Sequence, residues 1–140
     1  MLLGEMAIID SVCSYLETKG YRITSKVGSV SEHGIDIVAM SQHTKVRLHV
    51  EAKGQTSSKS ETKCFGKEFT RNQKRDHLGK ALLKSCEWIQ QKEAAAIALP
   101  DDTVDRELID SITTAIARLG IVVFLVDERG AVRTVGDLPS

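Results

Sequence analysis

The fold of this chain is decided by residues 34–54, which have the sequence GIDIVAMSQHTKVRLHVEAKG. Apolar residues alternate with polar ones on both sides of a short polar turn, a pattern that predicts two neighbouring β-strands. By the period of two, Asp36 lies opposite the apolar face of the first strand, and Glu51 and Lys53 share the polar face of the second. If the strands pair, two carboxylates and an ammonium group converge, an arrangement suited to a divalent metal with a nearby cation.

Helical and strand patterns continue on both sides of these strands. The predicted elements, in chain order, are helix 4–19, strand 21–27, strands 34–40 and 46–54, helix 71–92, strand 94–99, a helix from Asp102 or Thr103 to Leu119, strand 121–126 and a short strand 131–135. This order, α-β-β-β-α-β-α-β with a short last strand, predicts the α/β class, a central mixed sheet flanked by helices. With 140 residues, 41% of them hydrophobic, we expect one domain that covers residues 1–140.

The composition argues against membrane, secreted and zinc-binding proteins. No apolar run approaches about 18 residues, and the acids that soon follow Met1 do not fit a signal peptide. The three cysteines are widely spaced and form no CxxC pair, and the four histidines lack ligand spacing. Neither a disulfide framework nor a zinc site is therefore expected. We expect a cytoplasmic protein that does not contact a membrane.

The charge is unevenly distributed, although the formal net charge is zero. From Lys53 to Lys84 there are nine Lys and Arg residues against three Asp and Glu, an excess of six that acids elsewhere in the chain balance. Such a run is either a solvated loop and helix face or a surface for a polyanion. Because it begins beside the Asp36 and Glu51 pair, we favour a nucleic-acid partner.

The first predicted helix carries an acid within its apolar stripe. Glu5 lies four residues before Ile9. Its carboxylate either sits at a frayed N-terminus, where the helix dipole favours it, or points inward towards a cation. Asp10 is the competing acid of this helix, and its place at the edge of the stripe predicts a surface position.

A helix acid followed by GIDIV at 34–38 and VEAKG at 50–54 resembles the PD-(D/E)xK nuclease superfamily, the fold of many restriction enzymes. The order of elements over residues 4–126 is also similar to the αβββαβ core of that family. The short chain and the GIDIVA-type strand are most similar to small Holliday-junction resolvases and Mrr-type nucleases, although Ile35 stands where many members have proline. The resemblance implies a restriction-endonuclease-like fold and a Mg²⁺-dependent endonuclease that hydrolyses DNA, either structure-specific or directed against foreign DNA.

The resemblance also implies a role for each site residue. Asp36, a Glu51 oxygen and the backbone carbonyl of Ala52 would bind Mg²⁺, for which Mn²⁺ can substitute, because such ions prefer oxygen ligands. Lys53 would position or deprotonate the attacking water and offset charge on the phosphorane. Glu5 would hold a second metal ion, or contact metal-bound water or Lys53. Contacts to the nucleic-acid backbone are expected from the basic segment, at Lys59, Lys63, Lys67, Arg71, Gln73, Lys74, His77, Lys80 and Lys84.

Other interpretations of the same residues stay open. Asp36, Glu51 and Lys53 can form an ordinary cross-strand salt-bridge cluster on a solvated sheet face. A chain with this fold can also be a non-catalytic module that binds nucleic acid or a protein. In either case DNA is the partner that the resemblance implies, together with a second copy of the chain or another protein that supplies specificity.

Overall fold

A six-stranded mixed sheet with helices on both faces forms the frame of the molecule in a computed structural model, which describes residues 2–27, 35–57 and 66–139. The elements in chain order are α1 (Glu5–Thr18), β1 (Tyr21–Lys26), β2 (Ile37–Ser41), β3 (Arg47–Ala52), α2 (Arg71–Gln90), β4 (Ala94–Pro100), α3 (Thr103–Asp110), α4 (Thr113–Leu119), β5 (Val122–Val126) and β6 (Val132–Val135). This confirms the predicted α/β class and the predicted mixed sheet.

The strands lie side by side in the order in which they occur in the chain. β1, β2 and β3 form an antiparallel meander, in which Ile37 of β2 pairs with Val50 of β3. β3, β4 and β5 are parallel, and β6 returns antiparallel to β5. The parallel strands need helical crossovers, which α2 and the α3–α4 pair supply. The carboxyl ends of β3, β4 and β5 therefore meet at one edge of the sheet, where Glu51 and Lys53 lie.

Two hydrophobic cores form, one on each face of the sheet. The apolar stripe of α1 packs on the first face with Ile8, Ile9, Val12 and Leu16. α2 and the α3–α4 pair cover the second face through Leu78, Ala81, Leu108, Ile109 and Ile116. All five residues of β5 are buried, as expected for a continuous apolar strand covered on both faces.

The predicted helix between Thr103 and Leu119 is two helices, so this prediction is wrong. α3 ends at Asp110 and α4 begins at Thr113. The Oγ1 of Thr113 donates a hydrogen bond to the Ile109 carbonyl at 3.0 Å, and the Oγ of Ser111 donates to the Leu108 carbonyl. These hydroxyls bond to backbone carbonyls near the end of α3 and favour its termination there.

The first strand of the deciding segment also differs from its predicted bounds. β2 begins at Ile37, so Asp36 lies just before the strand rather than within it, and Gly34 falls outside the described residues. No helix among residues 2–27, 35–57 and 66–139 is long and apolar enough to cross a membrane.

Candidate metal and nucleic-acid site

The start of β2 and the end of β3 bring the two predicted metal ligands together. Asp36 is 9% exposed, and its Oδ2 accepts a hydrogen bond from the Ala52 N–H at 2.8 Å. Since Ile37 pairs with Val50, the antiparallel register sets Asp36 beside Glu51, and the bond from Ala52 holds the Asp36 side chain at the end of β3. Burial raises the pKa of Asp36, while the Ala52 N–H, the charge of Lys53 and a hydrogen bond with Glu5 act in the opposite direction.

Glu51 is the least satisfied carboxyl of this site. Its Oε1 is buried and has no hydrogen-bond partner among the described residues. Burial and then repulsion by Asp36 raise its pKa to about 7, although Lys53 and Lys84 act to lower it. Two close carboxylates whose charge is incompletely compensated form a site that a further cation would stabilise.

The helix acid of this site is Glu5, not Asp10. The Glu5 side chain is within hydrogen-bonding reach of Asp36 and contributes to the electrostatic environment of Glu51. Asp10 lies on the exposed side of α1, where its Oδ1 is 3.2 Å from the Lys26 Nζ. Glu5 is the first residue of α1, as the first alternative has it, and its side chain also turns towards the site, where it contacts the Asp36 carboxyl.

A glycine immediately after the GluAlaLys triplet allows this approach of α1. A Cβ atom added to Gly54 would lie 2.6 Å from the backbone N of Glu5 and 2.8 Å from the carbonyl carbon of Gly4. The end of β3 thus touches the first turn of α1 at backbone distance. The absence of a side chain at Gly54 brings Glu5 to the site.

We expect Gly54→Ala to separate α1 from β3. Contact with rigid backbone cannot be relieved by a rotamer change, so the variant should lose about 1–3 kcal/mol of unfolding free energy. Gly79→Ala is the matched control: it lies within α2 with nothing within 4 Å of the added Cβ. That substitution should stabilise the protein by about 0.5–1 kcal/mol. Urea unfolding of both variants measures the difference, and equal responses would contradict the close contact.

His77 belongs to α2 and lies near Lys53 of the site. Burial is the main cause that lowers the pKa of His77, and the charges of Lys53 and Lys80 lower it further. The Phe69 ring packs edge-on against His77 with the ring centroids 4.5 Å apart. The lowered pKa favours the neutral form of His77, whose ring is contacted by the segment that precedes α2.

The residues present fit a hard divalent cation. Asp36 and Glu51 offer carboxylate oxygens beside the backbone of Ala52, and one Glu51 oxygen is buried and unpaired. In the described part of the chain, no three His, Cys, Asp or Glu side chains are grouped closely enough to hold an ion by themselves. A backbone carbonyl and water oxygens would therefore have to complete the coordination.

The basic helix is less available than its sequence predicts, and the expectation for Lys74 is wrong. Lys74 is only 3% exposed, and its Nζ lies 2.5 Å from Glu68 and 2.9 Å from Asp102. Although burial lowers its pKa, these two hydrogen bonds raise it above the ordinary value. Arg71 is exposed but paired with Glu107. A buried and paired lysine cannot contact a nucleic-acid backbone.

The other predicted backbone contacts differ in position. Lys67, Lys80 and Lys84 are exposed, while Gln73 and His77 are half-buried. Gln73 completes a capping box with Thr70 at the start of α2, which gives it a structural role. Lys59 and Lys63 lie outside the described residues. Among the described residues, Lys67 and the surface that Lys80 and Lys84 form on α2 are the parts of the predicted interface that the structure leaves accessible.

Lys74 and Lys80 should therefore respond in opposite ways to replacement. Lys74→Met would leave the Glu68 and Asp102 carboxylates without their cation, and we expect a loss of about 3–5 kcal/mol in unfolding free energy. Lys80→Met should change stability by less than about 0.5 kcal/mol, but weaken DNA binding and reduce the salt dependence of the binding constant by about one unit of slope. Chemical unfolding and binding titrations at several salt concentrations separate the two. A Lys74→Met protein of normal stability would contradict the buried ion pairs.

The sequence did not indicate the buried acid beside Lys74. Asp105, in the first turn of α3, is 3% exposed. Burial is the main cause that raises its pKa to about 8, followed by its hydrogen bond with Asp102 and the repulsion from that residue. This shift favours the protonated form of Asp105 at neutral pH. Its position inside a helix that begins with several acids resembles an ordinary helix N-terminus, so no sequence signal distinguishes it.

His49 and Trp88 also have places that the sequence did not reveal. His49 shares the polar face of β3 with Glu51 in the sequence pattern. It is 4% exposed and stacks on the Trp88 ring with the centroids 4.0 Å apart. Burial lowers its pKa, and Lys84 lies 5.5 Å from the Trp88 ring centroid. This stack joins β3 to α2 next to Glu51.

Comparison with known proteins adds a distant structural similarity. No family model and no curated protein matches the sequence. Among solved structures, the chain is similar to SfsA of Pyrococcus furiosus in complex with Ca²⁺, with 16% sequence identity and a TM-score of 0.40. The alignment covers 96% of this chain and 60% of that one, so this chain spans less than two thirds of its length. A similarity at this level does not transfer the Ca²⁺ of that complex to this site.

Proposed function

We propose that this protein is a metal-dependent endonuclease with a PD-(D/E)xK type site, which hydrolyses phosphodiester bonds of DNA with Mg²⁺. The observation that carries the proposal is the buried, unpartnered Oε1 of Glu51 beside the Asp36 carboxylate. A salt-bridge cluster would satisfy its carboxylates with the cations at hand. This pair instead keeps a raised pKa despite Lys53, which is what a site built for an additional cation would show.

Each residue of the site has a distinct role in the proposed mechanism. Asp36 and Glu51 would hold the ion together with the Ala52 carbonyl, and the bound metal would supply an acidified water and charge neutralisation at the phosphate. Lys53 would orient the attacking water and offset charge that develops on the phosphoryl oxygens. Glu5 keeps Asp36 in position through their hydrogen-bond contact. Lys80 and Lys84 are exposed on α2, where a phosphate backbone can reach them.

Metal binding is the first test. Mn²⁺ at saturating concentration should raise the melting temperature of the wild type, because a ligand that binds only the native state stabilises it. Asp36→Asn should abolish this increase, whereas Asp10→Asn, which changes an exposed acid of α1, should retain it. Thermal melts with and without Mn²⁺ measure both. An equal increase in wild type and Asp36→Asn would place the metal elsewhere.

Cleavage is the second test. A panel of duplex, single-stranded, nicked and four-way-junction DNA, incubated with Mg²⁺, identifies the substrate structure. Wild type should cut at least one of these substrates, and excess EDTA should stop it. Binding without cleavage of any substrate would favour the non-catalytic module. The proposal extends to a second copy of the chain or a partner protein as the source of specificity, which the oligomeric state on the cleaved substrate would show.

A further inference from the structure

We propose that Gln55 is a positioning residue that holds Glu5 at the site, an inference that rests on the proposed function. Gln55 follows Gly54 at the end of β3 and contacts no site carboxyl itself. All four of its polar groups are nevertheless used. They bind the chain segment before α1, the segment before α2 and the N-cap residue of α3.

The segment that precedes α1 is bound twice. The backbone N–H of Gln55 donates to the Leu3 carbonyl at 2.6 Å, and the side-chain Oε1 accepts from the Leu3 N–H at 2.9 Å. Gly4, the N-cap of α1, has no side chain and makes no capping hydrogen bond. The first turn of α1 therefore lacks the usual local anchor. Gln55 provides a substitute two residues before Glu5.

The other end of the same side chain is bound to a rigid point. The Nε2 of Gln55 donates to the Oδ2 of Asp102 at 2.9 Å. That carboxylate also accepts from the buried Lys74, and its Oδ1 accepts from the Asp105 N–H at 2.8 Å. Although partial burial acts to raise the pKa of Asp102, hydrogen bonds with Asp105, Gln55 and Lys74 keep it below its ordinary value. Asp102 is thus a fixed anion that orients the Gln55 amide.

The backbone carbonyl of Gln55 completes the connection. It accepts a hydrogen bond from the Phe69 N–H at 2.8 Å, and the Phe69 ring contacts His77. One residue is thus bonded both to the segment that leads into Glu5 and to Phe69, whose ring contacts His77. An amide is the side chain suited to this position, because it offers an acceptor to Leu3 and a donor to Asp102 at once.

Hydrogen exchange tests the positioning without a metal or a substrate. Gln55→Met keeps the length of the side chain and removes both of its hydrogen bonds. We expect amide exchange in residues 2–8 to accelerate by about tenfold or more, with no change in β4 and β5. Thr113→Val, which removes a side-chain hydrogen bond at the α3–α4 junction, is the control and should leave residues 2–8 protected. Unchanged protection of residues 2–8 in Gln55→Met overturns the inference, regardless of how this variant binds Mn²⁺.

A double-mutant cycle tests whether Gln55 acts through Glu5. We expect Gln55→Met to weaken the apparent affinity for Mn²⁺, measured from the thermal shift, by about 10-fold or more. Glu5→Ala should weaken it similarly, and the double variant should match the weaker single variant within about twofold. A double variant whose loss in Mn²⁺ affinity is the product of the two single losses would overturn the inference. If wild type shows no response to Mn²⁺ and no cleavage, the proposed function fails, and the exchange experiment alone decides whether Gln55 positions Glu5.

Discussion

Lys53→Met is expected to lower Mg²⁺-dependent cleavage by about 10²–10³-fold or more, the usual effect of removing a group that stabilises developing charge. The side chain has two functions in the proposed mechanism. It orients the attacking water, and its charge lowers the pKa of both Asp36 and Glu51. Its loss should therefore also lower the affinity of the site for the metal ion, because protonated carboxyls bind a cation poorly.

The two functions can be separated by measuring cleavage across Mg²⁺ concentrations. If Lys53 acted only through the carboxyls, excess Mg²⁺ would restore full activity. We expect the loss in kcat to persist at saturating Mg²⁺. Lys80→Met is the matched control, since it removes an exposed cation from α2 and should weaken substrate binding with little change in kcat. Full cleavage by Lys53→Met would remove this residue from the mechanism.

Glu51→Gln is expected to stabilise the metal-free protein while it abolishes cleavage and the response to Mn²⁺. Glu51 has a pKa of about 7 in the folded protein, above the ordinary value of 4.5. The folded state therefore binds more protons than the unfolded state between pH 4.5 and 7. Stability falls as the pH rises through this window and levels off above it. The neutral amide of Gln does not ionise, so it causes no such loss of stability, and it can donate a hydrogen bond to Asp36.

The difference between Glu51→Gln and wild type should therefore depend on pH. It should be small near pH 4.5, the ordinary value for a Glu carboxyl, and grow as the pH approaches 7. At the upper limit the gain would be on the order of 3 kcal/mol, since each pKa unit corresponds to about 1.4 kcal/mol. Denaturant unfolding at several pH values with EDTA present measures this. A variant less stable than wild type at pH 8 would show that Glu51 is already satisfied without a metal. Such a gain in stability with loss of function is common at functional sites.

Periodicity predicted most of the fold, because burial imposes it directly. The apolar stripe of α1 and the alternation in β3 each report one buried face, and β5 reports two. The break between α3 and α4 has no such signature. Its residues continue a helical pattern, and only the hydroxyls of Ser111 and Thr113, bonded to the preceding carbonyls, interrupt it. A local competition between side chain and backbone decides that boundary.

The candidate site was predictable where it depends on strand pairing. Asp36 and Glu51 come together because neighbouring strands of opposite direction have a fixed register. The distinction between Glu5 and Asp10 could not be made from periodicity, because it depends on the backbone contact at Gly54. Lys74 was misassigned for a similar reason. In the sequence, a solvated lysine of a basic run looks the same as a buried one. Lys74 is buried because it pairs with Asp102, which lies 28 residues further along the chain.

The paired segments on either side of residues 58–65 indicate where this chain can change in length. Thr56 and Glu68 form an antiparallel bridge, and Lys74 binds the Glu68 carboxylate. The distance between the two ends of the intervening segment is thus set by groups outside it. An inserted recognition element at this position could alter substrate choice while the metal ligands keep their geometry, which makes it the place to graft new specificity.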